Sequence, residues 1–205
     1  MAIQDLKNIA DKVLDVQKKA VLDLTITNEM LEAARLIIEK TTDGKKIITT
    51  GMGKAGIIAS KMSATLSSIG IPSFYVHPAE SLHGDLGRIS QGELIIAFSH
   101  SGSTNELTSM IEALNILNQK SNPLLLITNA SSPKIKPDIL VHYAMEQESC
   151  VVKKVPSTST TLMLIIADII AITAAEYLGF DDSWFKLRHP GGAIGDSYKK
   201  EQIQN

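Results

Sequence analysis

Five short runs of mostly apolar residues, each read as a strand buried on both faces, constrain this chain more than any other feature. They lie at residues 46–50, 72–76, 93–98, 124–127 and 139–143. Strands buried on both faces belong to parallel sheets covered by helices on either side. Helical spacing intervenes between the runs, as in Leu107, Met110, Ile111, Leu114 and Leu117 after the third. The alternation predicts an α/β chain, a three-layer αβα sandwich around a five-stranded parallel sheet, flavodoxin-like or Rossmann-like. Right-handed crossovers then bring the C-terminal ends of all strands to one edge. Open sheets of this kind bind ligands there. That edge gathers the loops at residues 51–56, 77–87 and 99–106.

Helices precede the first strand. Ile3, Leu6, Ile9, Ala10, Val13, Leu14 and Val21 fall on one helical stripe, and Thr27-Asn28 caps a second helix ending near Asp43-Gly44. The expected organisation is a helical arm over residues 1–39, packed on the domain or on a partner subunit. A domain over 40–195 and a flexible polar tail over 196–205 complete it. Ser157-Thr158-Ser159-Thr160-Thr161 opens a long apolar helix to Leu178. Its segment 162–175 is apolar all round except at Asp168, which predicts a share in an oligomer interface. It falls short of the ~20 residues a bilayer span needs.

Composition narrows the function classes. With 205 residues, 44% of them hydrophobic, the chain can build a full core. A net charge of −2 and the lack of a basic run argue against nucleic acid as a partner. One cysteine, Cys150, excludes an intrachain disulfide and suits a reducing compartment. The first residues carry no secretory pattern, so a soluble cytoplasmic protein without membrane partners is expected.

Residues 99–106, Ser-His-Ser-Gly-Ser-Thr-Asn-Glu, join a strand to a helix. Such a turn aims backbone N–H groups and the helix dipole at one point where a phosphate can sit. Ser99, Ser101, Ser103 and Thr104 add hydroxyl donors around Gly102. Helix capping alone would also favour these residue types. No lysine falls in the stretch and the chain has no P-loop motif. Gly51, Gly53 and Gly56 formally match a dinucleotide fingerprint, and a tight strand-to-helix turn explains them equally well. Lys54, inside that turn, would pair with a phosphate or a developing oxyanion, or else be a solvated surface lysine.

Glu106 lies in a first helical turn, which its charge alone favours, yet within one turn of the proposed phosphate. His83 and His189 stand in glycine-rich loops and are better candidates for chemistry than His142, which lies in a strand. Glu148 by itself reads as a surface residue. There is no Gly-x-Ser-x-Gly elbow and no His-Glu-x-x-His zinc spacing. Two loop histidines, several carboxylates, a lysine and a hydroxyl cradle suit proton transfer on a phosphorylated sugar, which needs no redox cofactor.

Ser-x-Ser-Gly-x-Thr-x-Glu at 99–106 resembles the signature of the sugar isomerase (SIS) domain family. Gly-Met-Gly-Lys at 51–54, His-Pro-Ala-Glu-x-x-His-Gly-Asp-Leu-Gly at 77–87 and His-Pro-Gly-Gly-Ala-Ile-Gly at 189–195 are similar to the arabinose-5-phosphate isomerases within it. The resemblance runs from about residue 40 to residue 195. It implies interconversion of D-ribulose 5-phosphate and D-arabinose 5-phosphate, the first step towards Kdo for lipopolysaccharide or capsule. It also implies cytoplasmic tetramers whose active sites are completed across subunits.

Carried over residue by residue, Lys54, Glu106, Glu148 and His189 match the family's proposed catalytic positions. His83 matches a histidine implicated in the site and in inhibitory zinc binding. Ser99, Ser101 and Thr104 match phosphate hydroxyls, with Gly53, Gly102 and Ser103 beside them, and Ser157, Thr158 and Ser159 match a second hydroxyl run. His100 and Ser103 stand where relatives often have Asn and Glu, which leaves fine substrate choice open. The paired regulatory modules of many members do not follow here, so a feedback ligand such as CMP-Kdo is a further expectation. The alternatives are another phosphosugar isomerase of the domain family, such as a 6-phospho-3-hexuloisomerase, and a non-catalytic sugar-phosphate-binding regulatory module. The presence of Lys54, His83, Glu106, Glu148 and His189 together favours catalysis.

Overall fold

The computed structural model describes residues 2–191. Five strands form one parallel sheet: β1 (Ile47–Gly51), β2 (Ser73–Val76), β3 (Leu94–Phe98), β4 (Leu124–Thr128) and β5 (Ile139–His142), in the order β2-β1-β3-β4-β5. The connection from β2 to β3 passes over β1, so the chain winds outward in both directions from the β1/β3 pair. That pair is the topological switch point.

Because successive strand residues face opposite sides, each strand feeds two cores. Ile47, Ile96, Phe98, Leu125, Ile127 and Val141 pack with α2 (Asn28–Thr42), α3 (Gly53–Ser68) and α6 (Thr158–Tyr177). Ile48, Ile95, Ala97, Leu124 and Leu126 pack on the other face with Leu107, Met110, Ile111 and Leu114 of α5 (Asn105–Leu117). Residues 28–39, grouped by sequence with the arm, therefore supply core: Met30, Ala33, Ala34, Leu36 and Ile37 are buried. Thr27 starts this helix as expected, its hydroxyl accepting the Met30 N–H at 3.3 Å.

The first helix, α1 (Ile3–Leu22), behaves differently from the rest. It buries no residue, and its apolar stripe faces outward, with Ile3 85% and Ile9 58% exposed. It meets the domain through Gln17, which accepts a hydrogen bond from Thr161, and through an ion pair between Lys19 and Glu146. Helix α6 is 20 residues long, so by length and composition it could cross a membrane, contrary to the shorter span read from sequence. Its place in the fold accounts for it differently. Leu162, Met163, Ile166, Ala167, Ile170 and Ala171 are buried against α2 and α3, and Asp168 pairs with Lys61 of α3. Helices of the same chain thus bury one side of α6, while Leu164, Ile165 and Ile169 stay half-buried and Ile172 is exposed.

Two short helices, α4 (Pro78–Ser81) and α7 (Asp182–Arg188), and a 3₁₀ turn at Asp85–Arg88 complete the described chain. Asp181 caps α7 by accepting the Trp184 N–H at 3.0 Å. Residues 192–195 of the His-Pro-Gly-Gly string and the expected tail 196–205 lie outside the described residues.

Candidate active site

The site is built at the switch point, where β1 and β3 end side by side with Gly51 opposite Phe98. A Cβ on Gly56 would stand 2.4 Å from the Gly51 carbonyl oxygen, which also accepts the Tyr75 hydroxyl at 2.8 Å. These glycines let α3 leave β1 at close range, so the dinucleotide-like spacing is a packing device. Lys54 follows in the first turn of α3, exposed and without an ion pair among the described residues.

The facing loop is held by its own hydroxyls. Buried Ser99 lies with its Oγ 2.9 Å from Thr104 Oγ1 and accepts the Gly102 N–H at 3.1 Å. Ser103 donates to Ser101 Oγ from its N–H at 3.3 Å and its hydroxyl at 3.1 Å. The end of β4 secures the loop from behind. The His100 carbonyl accepts Thr128 Oγ1 at 3.1 Å and the Asn129 N–H at 3.2 Å, and the Gly102 carbonyl accepts the Ile135 N–H at 3.2 Å. Thr104 begins α5 without capping it by its side chain. The α5 amides therefore remain available to an anion.

Between Lys54 and this loop lies a cavity of about 210 Å³, lined also by Phe98, Ser99, His100, Ser101, Thr104 and Ser159. It is smaller than the roughly 300–1,000 Å³ usual for drug-sized ligands, which suits one small phosphorylated molecule. A larger groove of about 630 Å³ runs between α1 and residues 142–147. Asp15, Asp23 and Glu146 line it, and its lysine, Lys19, is already paired with Glu146, so it repels a phosphate.

Glu148 is no surface residue: it is 7% exposed and occupies the N-terminus of α6. Its carboxylate accepts the N–H groups of Ser157 at 2.8 Å and Ser159 at 3.2 Å, together with both serine hydroxyls. Burial pushes its pKa up, but the hydrogen bonds from Ser159 and Ser157 outweigh it and hold the carboxyl below its ordinary range. The second hydroxyl run is correspondingly committed. Ser157 and Ser159 direct their hydroxyls to Glu148, and Thr158 is buried with an unpartnered Oγ1. Of the three, Ser159 reaches the cavity wall.

The remaining candidates are spread out. Glu106 is exposed at the start of α5, beside the cavity but outside its wall. His83 is exposed after α4 beyond β2, the edge strand. Among the described residues no group of three or more His, Cys, Asp or Glu could hold a metal ion. His189 stands at the opposite edge of the sheet. It follows Arg188, whose guanidinium carbon lies 3.2 Å from a Cβ placed on Gly70, at the end of α3 away from Lys54. The 16 residues of α3 set that separation at roughly 24 Å. There His189 Nδ1 lies 2.9 Å from the Phe185 carbonyl oxygen and the ring stacks on Phe185. One chain therefore does not bring Lys54, Glu106, Glu148 and His189 together.

Sequence reasoning noted His100 only as a departure from the Asn common in relatives, bearing on substrate choice. Here it lines the cavity, with Nδ1 3.0 Å from the hydroxyl of buried Tyr143. Burial pushes the Tyr143 hydroxyl far above its ordinary pKa, and the Glu148 charge adds to the shift. The available signal was position, since His100 sits inside the hydroxyl loop itself.

Sheet order, hydroxyl loop, uncapped helix N-terminus and a lysine on the same cavity define a doubly wound domain whose strand switch point can receive a small anion. The chain belongs to the SIS domain family, whose model matches residues 41–172. A Yersinia pestis protein named arabinose 5-phosphate isomerase KdsD is 36% identical over 197 residues, covering 93% of this chain and 58% of the relative. The Escherichia coli K12 protein of the same name is 40% identical over 152 residues, covering 73% of this chain and 45% of the relative. The chain thus spans about half the length of such curated relatives. The solved structure of E. coli CFT073 c3406 in complex with arabinose 5-phosphate aligns with a TM-score of 0.83 at 32% identity, covering 93% of this chain and all of that one.

Proposed function

We propose that this chain is an aldose–ketose isomerase that interconverts D-arabinose 5-phosphate and D-ribulose 5-phosphate through an enediol, in the cytoplasm and on the route to Kdo. The observation that carries the reading is the small cavity lined by both the serine–threonine cradle and Lys54. The named relatives supply the choice of sugar.

The cradle and the α5 amides take the phosphate. At the other end of the sugar a base removes the C2 proton of the aldose while the C1 oxygen is protonated. The resulting enediol then gains a proton at C1 and loses the O2 proton, which leaves the ketose. Lys54 stabilises negative charge on the phosphate or on the enediolate oxygen. Glu148, held ionised by four donors, is a weak base and serves better to fix Ser159. The proton-transfer work then falls to Glu106 and to a histidine from outside this chain's own edge. A homo-oligomer, a tetramer by family resemblance, would bring the His189 of a second copy to each cavity. The exposed α1 stripe and the remote position of His189 both support such an assembly.

Arabinose 5-phosphate incubated in D₂O and followed by NMR tests the reading. Wild type is expected to exchange the C2 proton and produce ribulose 5-phosphate, and Glu106→Gln to slow both by about 100-fold or more, the usual scale for a removed acid–base group. Binding without exchange would mark a sugar-phosphate-binding module instead.

A further inference from the structure

We infer that His100 is a substrate-contacting residue whose Nε2–H donates a hydrogen bond to the bound phosphosugar, with buried Tyr143 as the positioning residue that sets its tautomer. This rests on the phosphosugar reading above and adds a specific donor to it.

The argument starts at the buried end. Tyr143 is 2% exposed and packs in the core cluster beneath the sheet edge. Among the described residues its hydroxyl has one hydrogen-bond partner, His100 Nδ1 at 3.0 Å. A phenol proton left without an acceptor in the interior forfeits the hydration it had in water. Buried and kept neutral, the hydroxyl donates its hydrogen bond to Nδ1. Nδ1 is then an acceptor, and the neutral imidazole carries its own proton on Nε2.

The same contact settles which nitrogen is available. His100 lines the cavity and its Nδ1 is engaged by Tyr143, so Nε2 is the ring nitrogen left for an occupant. No hydrogen bond among the described residues engages Nε2. The backbone of His100 is fixed too, by Thr128 and Asn129 on its carbonyl. Ring and backbone are thus held before any ligand arrives, which limits the ordering cost of binding. Ser99 and Ser101 flank it in the chain, and Lys54 lines the same cavity, so the lining suits an oxygen-rich, negatively charged occupant. An Nε2–H adds a directed hydrogen bond beside the point charge of the Lys54 ammonium.

The test compares wild type, His100→Ala, His100→Asn and Tyr143→Phe. Nitrogen-15 NMR of the unliganded protein reads the His100 tautomer independently of any activity. The expected result is an Nε2–H tautomer in wild type and a mixture in Tyr143→Phe. In steady-state isomerisation of arabinose 5-phosphate, His100→Ala should raise KM on the order of tenfold, the worth of one good hydrogen bond, with a smaller change in kcat. His100→Asn, which keeps an N–H donor, should recover part of the loss, and Tyr143→Phe should raise KM by a smaller factor. An active wild type whose KM is unmoved in His100→Ala, or an Nδ1–H tautomer, overturns the inference and leaves the isomerase reading standing. A wild type that neither binds nor isomerises the sugar phosphate overturns both. Variants that lose thermal stability but keep wild-type KM in the folded fraction would show a structural role and also overturn it.

Discussion

Gly102 has no room for a side chain and no backbone conformation suited to one. Its φ is +61°, and an added Cβ would lie 2.4 Å from the Pro133 Cβ and 3.3 Å from the Ala130 Cβ. The left-handed conformation alone costs a non-glycine residue about 1–3 kcal/mol. Relief of the contact requires the loop to shift off residues 130–133, and the Ser99–Gly102 and Ile135–Gly102 hydrogen bonds stretch with it. Gly102→Ala should therefore lower stability by at least about 1–3 kcal/mol in urea titration. It should also weaken arabinose 5-phosphate binding by calorimetry far more than a destabilised but remote substitution does. That glycine was legible as part of a turn. Its close approach to Pro133 was not, because 31 positions separate the two and only the fold joins them.

The elements divide along the same line. Strand positions, the α5 start and the order of strand and helix followed from periodicity and capping, which are local. Glu148 did not, because a lone carboxylate in an irregular segment acquires its meaning only when α6 begins ten residues later and points its free N–H groups at it. At neutral pH Glu148→Gln replaces an acceptor-only group by an amide and strands serine donors, costing about 1–3 kcal/mol. The sign of the pH effect follows from the lowered pKa of the folded state. Its contribution is fully present above the ordinary carboxylate value of about 4.3 and is lost as pH falls through the lower folded value. Urea titrations should therefore find wild type and Glu148→Gln well separated at pH 7 and converging in acid. An equal gap at both ends of the range would remove the carboxylate's ionisation from the explanation.

At the scale of the whole molecule, the chain keeps its anion seat at one edge of the sheet and His189 at the other. Length along α3 alone holds Lys54 and His189 apart, and no side-chain motion closes roughly 24 Å. Either His189 takes no part in the reaction, or a second copy delivers it. The second option also gives the exposed stripe of Ile3, Leu6, Ile9, Val13 and Leu14 something to cover it, since nothing among the described residues buries them. The two options separate in a mixing experiment. Lys54→Ala and His189→Ala homo-oligomers should each be nearly inactive, because every cavity lacks one group. After unfolding and refolding of an equal mixture, some cavities draw Lys54 from one chain and His189 from another. If chains assort at random, roughly a quarter of the cavities are whole, and activity returns to about that fraction of wild type. No recovery, with mixed oligomers verified by differential tagging, would confine each active site to one chain and leave His189 as a residue that shapes the turn after α7.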